Sequence, residues 1–366
     1  SHEPGSTFKL FALMAALEDK VIDTTTMVDT EKGKLTFYGK YHVRDSKRGG
    51  YGIIPVSQVF ERSSNTGIVK LIHENYKENP SQFTDRLLAM GLDKPLGLAI
   101  SGEGTPKIPH PNDPDWNGLA LPWMAFGYGV SLTPLQTLSY YNAIANNGEL
   151  VLPRFVSSVR SLDGKVVKLF PKKVLNPAIC FDDTRSKLQK LMEGVVKNKW
   201  GTAHNIYDEK LSIAGKTGTC QVDYTSDNVQ YVSSFVGYFP VENPTYSCIV
   251  VVHKPNKKIG YYGNVVAAPV FKKIAESVIH DIPQNSTVPL NKIAALTIQN
   301  NKPNTTNPLN SDRMPDVRGW PAMEAIAVLE NLGFSVTLKG KGKVLRQSQK
   351  PGVVIKKNQT ITLTLT

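Results

Sequence analysis

Only three cysteines occur in the chain, Cys180, Cys220 and Cys248, with no C-x-x-C pair among them. An odd number at scattered positions excludes a disulfide framework and leaves at least one thiol unpaired within the chain. They read as small buried hydrophobes. Long apolar runs are missing as well: none approaches the roughly 18–20 residues of a membrane span, and nothing resembles a signal peptide. No dense arginine–aromatic cluster of the kind that binds nucleic acid is present. Lysine and arginine nevertheless outnumber aspartate and glutamate by 43 to 31, for a formal charge of +12. That excess reads as a solvated basic surface able to attract an acidic polymer or an anionic lipid.

Several catalytic signatures are also absent. GKTGT at 215–219 looks like the end of a phosphate-binding loop, yet Lys210 stands where the opening glycine belongs, and a strand pattern follows where a helix is needed. Gly102-Glu103-Gly104 and Gly127-Tyr128-Gly129 lack the third glycine of a dinucleotide fingerprint and read as turns. His73-Glu74 opens an H-E-x-x-H pattern, but Lys77 replaces the second histidine, so no metal site is expected. G-x-S-x-G is absent around Ser6, and none of the seven histidines is tied to a candidate serine.

What is present is an ordinary globular composition, 40% hydrophobic and 20% charged, over 366 residues. That length allows about two or three domains. Residues 6–17 have helical composition, and Val56–Phe60 and Gly67–Tyr76 read as two helices around a short loop. Residues 80–135, rich in proline, glycine and tryptophan, read as loops and short helices around a site. TPLQTLSYYNAIANNG (133–148) has a helix start, a helical spread of apolar residues and a terminating Asn-Gly. From about 211 the pattern turns to strands, LSIAGKTGT, YVSSFVGYF and TYSCIVVVH, before an amphipathic helix over 267–279. Helices first, adjacent strands later and a closing helix indicate an α+β domain with an antiparallel sheet. Residues 281–311, with seven asparagines, four prolines and no aromatic residue, read as a linker. Residues 312–366 regain globular character. PAMEAIAVLENLGF places Ala322, Ile326, Leu329 and Leu332 on one helical face closed by Gly333, and FSVTL and ITLTLT alternate as strands. The expected domains are thus 1–280, a 281–311 linker and 312–366.

Serine chemistry without a histidine remains. Ser6 precedes Lys9 by three positions, so a helix would set the lysine on the same face one turn along. The surrounding Phe8, Leu10, Phe11 and Leu13 would desolvate that amine and lower its pKa, making a free base available beside a hydroxyl. Taken alone, S-x-x-K is more often a capping serine and a snorkelling lysine, since the pattern is common by chance. SSN at 63–65 adds Ser63 and Asn65 in the loop between two helices. KTGT at 216–219 adds Lys216, the hydroxyls of Thr217 and Thr219, and Gly218, which permits close backbone approach at a sheet edge. The three motifs in that order, 57 and then 153 residues apart, are far more specific than any one of them.

This triple resembles that of penicillin-binding proteins and class A β-lactamases. EPGSTFK, SSNTGIVK, FGYGVSLTPLQ, IAGKTGT, YVSSFVGYFPVENP and YYGNVVAAPVFKKIA resemble a class B penicillin-binding protein, division type. MPDVRGWPAMEAIAVLENLGF with QSQKPGVVI resembles a PASTA domain. The resemblance implies the α+β penicillin-binding-protein/serine β-lactamase-like transpeptidase fold, with an antiparallel sheet flanked by helices plus a helical subdomain. It implies a D,D-transpeptidase that crosslinks peptidoglycan stem peptides ending in D-Ala-D-Ala and is trapped by β-lactams. Its roles would be Ser6 as nucleophile, Lys9 as base, and Ser63 as proton relay with Lys216. Asn65 would orient the substrate amide, while Thr217, Gly218 and Thr219 would hold the carboxylate. Backbone N–H groups of Ser6 and Thr219 would form the oxyanion hole. It implies no cofactor and no metal, cell-division membrane proteins as partners, no nucleic acid, and a place on the extracytoplasmic face of the bacterial cytoplasmic membrane. Family members carry an anchor, a pedestal and further elements ahead of S-x-x-K, so the resemblance also implies that this chain is a fragment. Cys220 stands where the family often has alanine. Two alternatives stay open: a D,D-carboxypeptidase or β-lactamase-like hydrolase, and a catalytically idle cell-wall-binding or sensor protein.

Overall fold

The computed structural model describes residues 1–222, 229–281, 314–332, 334–340, 342–354 and 359–366. The chain divides into two compact units, Ser1–Ser286 and Thr287–Thr366. Apart from its first residue, the expected linker at 281–311 lies outside the described residues, as does Gly333.

In the first unit a 3-10 turn, Gly5–Phe8, runs directly into α1 (Lys9–Glu18), whose residues from Lys9 to Leu17 are all buried. A helix that is apolar all round belongs in the middle of a fold, and each fully buried Leu or Phe here contributes roughly 1.5–3 kcal/mol. This helix is the hub of the unit. Two short antiparallel pairs follow: β1 (Met27–Asp29) pairs with β4 (Ile53–Pro55), and β2 (Lys34–Phe37) pairs with β3 (Tyr41–Arg44). Then come α2 (Val56–Glu61), α3 (Asn65–Tyr76), α4 (Pro80–Ala89), α5 (Ala120–Met124) and α6 (Pro134–Ala145). The start of α6 is fixed by a capping box, in which Thr133 accepts from the Gln136 amide and Gln136 reaches back to Thr133. The 80–135 segment therefore holds one full helix, α4, besides the loops and short helix expected there.

Four short strands, β5 (Leu150–Val151), β6 (Ser158–Arg160), β7 (Val166–Leu169) and β8 (Val174–Asn176), precede α7 (Asp182–Lys197). The sequence reading did not anticipate α7, although its pattern is regular. Leu188, Leu191, Met192, Val195 and Val196 are buried at helical spacing, and Asp182 and Asp183 sit in the first turn, where the helix dipole favours them.

The antiparallel sheet has the order β11-β10-β9, with β9 at Ala214–Val222, β10 at Gln230–Phe239 and β11 at Tyr246–His253. Two helices close the unit, α8 (Gly263–Val266) and α9 (Ala268–Asp281). On one face, Phe235 and Phe239 pack edge-on against Phe271 of α9, at 4.8 and 5.7 Å between ring centres. Tyr238 pairs with Ser247 and so lies on the other face, where Asn142 of α6 donates to the Ser247 hydroxyl. The sheet is thus sandwiched between helices, and among the described residues β9 has one strand neighbour, β10.

The second unit places α10 (Ala322–Asn331) with a mixed sheet of order β12-β14-β13. Strand β12 (Ser335–Lys339) is parallel to β14 (Thr360–Leu365), and β13 (Val344–Gln347) is antiparallel to it. Ile361, Leu363 and Leu365 are buried in alternation and join Val317, Ala325, Leu329 and Phe334 in a small core. Ile326, expected on the buried face of the helix, is half-buried, whereas Ala325 beside it is fully so.

Candidate active site

The three sequence motifs meet at one hydroxyl. Lys9, wholly buried at the first position of α1, directs its Nζ to the Ser63 carbonyl at 2.7 Å, the Ser63 hydroxyl at 3.1 Å and Asn65 Oδ1 at 2.7 Å. Lys216, also wholly buried, donates from the other side to Ser63 Oγ at 2.9 Å and to the Thr217 carbonyl at 3.0 Å. Burial pushes the Lys9 amine down to about 7, opposed in part by the Asp45 carboxylate. Burial, with the neighbouring Lys9, pushes Lys216 down as well. Two amines aimed at one oxygen in a dry site resist being charged together. With both lone pairs of Ser63 Oγ engaged, its own proton is left to point elsewhere.

Ser6 lies in the 3-10 turn one step ahead of Lys9 and lines the cleft. The sequence reading set Lys9 beside Ser6. In the structure the Lys9 amine is bonded to Ser63 and Asn65, and among the described residues the Ser6 hydroxyl has no hydrogen-bond partner.

The Ser63–Asn65 turn is held in an unusual shape. Ser63 has φ +57°, a left-handed conformation that a non-glycine residue adopts only when its surroundings enforce it. Enforcement comes from Asp45, which follows β3. Its carboxylate accepts from the Asn65 amide at 2.6 Å, the Thr66 amide at 3.0 Å and the Ser64 hydroxyl at 3.0 Å, with the Thr66 hydroxyl at 2.8 Å. Ser64 then caps α3 by accepting from the Gly67 amide at 2.9 Å. Asn65 donates its side-chain amide to the Arg44 carbonyl at 2.8 Å, which turns Oδ1 toward Lys9.

The KTGT stretch occupies the free edge of β9. At Gly218 a Cβ would stand 2.3 Å from Ser234 Oγ and 2.9 Å from the Thr7 methyl, so a side chain there would crowd both the neighbouring strand and the Ser6 turn. The Thr217 hydroxyl meets that of Thr202 at 2.9 Å, and Thr219 Oγ1 accepts from the Gly263 amide at 3.1 Å. The Ser6 turn is braced from behind. Gly5 donates to the Gly127 carbonyl at 3.1 Å, and a Cβ on Gly127 would lie 2.0 Å from the Gly5 carbonyl. FGYGV, read from sequence as a simple turn, is therefore packed directly on Gly5, the residue before Ser6.

Ser6, Ser63, Asn65, Thr217 and Thr219 line a cavity of about 520 Å³, within the range of small-molecule sites. Its walls include groups that the sequence reading did not single out: Asp45, Arg62, Thr202 and the tyrosines Tyr128, Tyr231, Tyr261 and Tyr262. Tyr231 and Tyr261 stack at 4.1 Å. Among the described residues there is no cluster of three metal-ligating side chains and no helix long and apolar enough to cross a membrane.

Residues 1–276 match the penicillin binding protein transpeptidase domain. The chain belongs to that family. Residues 312–366 match the PASTA domain, so this is a class B penicillin-binding protein chain with a C-terminal PASTA domain. It is 28% identical to the stage V sporulation protein D of Bacillus subtilis over 100% of this chain and 54% of that protein. It is 29% identical to the peptidoglycan D,D-transpeptidase FtsI of Buchnera aphidicola over 76% of this chain and 45% of that one. The transpeptidase domain of Burkholderia pseudomallei penicillin-binding protein 3 superposes with a TM-score of 0.63 at 25% identity, covering 77% of this chain and 81% of that domain. The chain spans about half the length of the curated relatives it matches. The penicillin-binding-protein fold expected from the motifs is the fold observed.

Proposed function

We propose that the protein is a serine D,D-transpeptidase acting on the D-Ala-D-Ala end of peptidoglycan stem peptides. The observation that carries this reading is the Ser63 hydroxyl bridging two buried amines, Lys9 and Lys216, in a cleft that Ser6 also lines. Ser6 Oγ attacks the penultimate carbonyl, and Lys9, held near neutrality by burial, takes the proton. Backbone N–H groups of Ser6 and Thr219 receive the oxyanion, usually the largest single stabilising effect in acyl transfer. Ser63 passes its proton to the departing D-alanine amine and regains one from a neighbouring lysine. Asn65 orients the acyl-side amide, and Thr217 and Thr219 hold the terminal carboxylate while Gly218 admits it to the strand edge. An amine of a second stem peptide then resolves the ester as a crosslink. β-Lactams enter the same path and remain as a stable ester on Ser6. No step calls for a cofactor or a metal ion.

The protein would act at the extracytoplasmic face of the bacterial cytoplasmic membrane, in septal wall synthesis with division membrane proteins. A second setting has its own support: the relative matched across both domains is named for sporulation, so the same chemistry would serve a spore-forming cell. Residues 1–280 would form the transpeptidase domain, 281–311 the linker and 312–366 the PASTA domain. Incubation with a fluorescent penicillin, followed by mass mapping, should place the label on Ser6. Label that survives Ser6→Ala would overturn the assignment, and rapid nitrocefin turnover would favour a hydrolase.

A further inference from the structure

Arg62 stands immediately before Ser63 and lines the same cleft. Its side chain is held rather than loose. The Nε donates to Gln58 Oε1 at 3.0 Å, and the guanidinium lies between two rings, 5.4 Å from the centre of Tyr51 and 5.6 Å from Trp200. Among the described residues it forms no ion pair, and its two terminal nitrogens have no hydrogen-bond partner. The nearby acids are occupied: Asp45 is taken up by the start of α3, and Glu61 by the Trp200 indole and Asn198. The result is a half-buried planar cation, fixed in orientation, facing a cleft without an anion of its own.

Its place within the cleft narrows the ligand. The Glu61 carbonyl accepts from the Thr202 amide, and the Thr202 hydroxyl meets Thr217. The residue before Arg62 is thus tied to the Thr202–Thr217 wall, and Arg62 lines the same cleft as Thr202 and Thr217. If the transpeptidase reading holds, on which this inference rests, the Thr217 wall is where the leaving amine and its carboxylate sit.

We propose that Arg62 joins Thr217 and Thr219 in binding the carboxylate carried by the amine component, D-alanine as it departs and the acceptor as it arrives, and so selects acceptors bearing a carboxylate close to the reacting amine. Departing and attacking amines pass through equivalent positions of the tetrahedral intermediate, so one anion site serves both. In the second half-reaction the neutral acceptor amine forms the new C–N bond and the ester C–Oγ bond breaks. The proton shed by the amine returns to Ser6 Oγ by way of Lys9. A planar guanidinium matches a carboxylate through two parallel N–H bonds, which a lysine cannot reproduce.

The test supplies the intact protein with a thioester analogue of acyl-D-Ala-D-Ala and competing acceptors, D-alanine and D-alaninamide, at equal free-amine concentration. Mass spectrometry reads the product ratio. The unmodified protein should favour D-alanine by about tenfold or more, Arg62→Gln should cut that ratio by about ten- to a hundredfold, and Arg62→Lys should fall between. Should Arg62→Gln not fold, Arg62→Lys carries the comparison. A ratio unchanged by Arg62 substitution, or a preference of the unmodified protein for the amide, overturns the proposal while leaving the transpeptidase reading intact. Failure of the unmodified protein to form any acyl-enzyme overturns that reading and the role of Arg62 with it.

Discussion

Replacing Asp45 tests whether a residue outside all three motifs builds the active site. Its carboxylate accepts from two backbone amides, Asn65 and Thr66, and from the Ser64 hydroxyl, at 2.6 to 3.0 Å. A hydrogen bond to a charged group contributes about 1.5–3 kcal/mol, and an unpaired buried donor costs about 1–3 kcal/mol. The loss of favourable charge at the N-terminus of α3 adds about 0.3–1 kcal/mol. Water entering from the cleft offsets part of this, which leaves about 2–4 kcal/mol for Asp45→Ala. In a unit of this size that corresponds to a fall of about 4–8 °C in melting temperature. Asp45→Asn keeps one acceptor oxygen but turns an NH₂ toward the donors, so about half the effect is expected. The catalytic consequence should exceed the thermal one. Ser63 keeps its left-handed backbone only while Asn65 and Thr66 are anchored, and a displacement of about 1 Å at a catalytic group lowers rates roughly a hundredfold. Melting curves and the second-order rate of fluorescent-penicillin acylation give the two readings. An Asp45→Ala protein that melts and acylates like the unmodified one would refute the reasoning.

Three further predictions follow from the same geometry. With Lys9 as the proposed base, the acylation rate should rise with pH through an apparent midpoint near 7, and Asp45→Asn should move that midpoint lower because Asp45 favours the charged amine. Lys9 also binds its proton more weakly folded than unfolded. The unfolded chain therefore holds the extra proton between about pH 7 and 10.5, stability from this group rises with pH across that window, and Lys9→Met should flatten the rise in denaturant titrations. Gly127→Ala places a Cβ 2.0 Å from the Gly5 carbonyl at φ +89°, so it should cost about 3 kcal/mol or more and suppress acylation. Gly129→Ala, at φ +72° with nothing within 4 Å, should cost only about 1–2 kcal/mol, and equal effects at the two glycines would contradict the packing argument.

Much of the fold was legible because its signals are local. The capping box and Pro134 mark the start of α6, the β-branched runs mark β10 and β11, and the alternating ITLTLT marks β14. The helix α7 was missed even though its apolar spacing is regular, because half its length is charged or polar and no proline or glycine punctuates its ends. Gly127-Tyr128-Gly129 reads as a turn and is one, but its packing was hidden for a different reason. A sequence shows that Gly127 permits a turn, but not that the Gly5 carbonyl lies against it from 122 positions away.

The site divides along the same line. Ser6, Lys9, Ser63, Asn65 and the 216–219 stretch were visible because each sits in a short motif whose members share one turn or one strand edge. Asp45 and Arg62 have no such signal, since aspartate and arginine are ordinary in any exposed loop. Their significance arises from what the fold brings to them: four donors at the start of α3 in one case, and in the other two aromatic rings with no ion pair among the described residues. In the proposed mechanism the motif residues supply the reacting atoms, whereas the residues between them fix where those atoms point. Lys9 illustrates the dependence. Its burial follows from α1 being apolar all round, which the sequence shows, but its bonds to Ser63 and Asn65 exist only because Asp45 holds that turn in place. Chemistry was therefore readable from residue types, and its alignment was not.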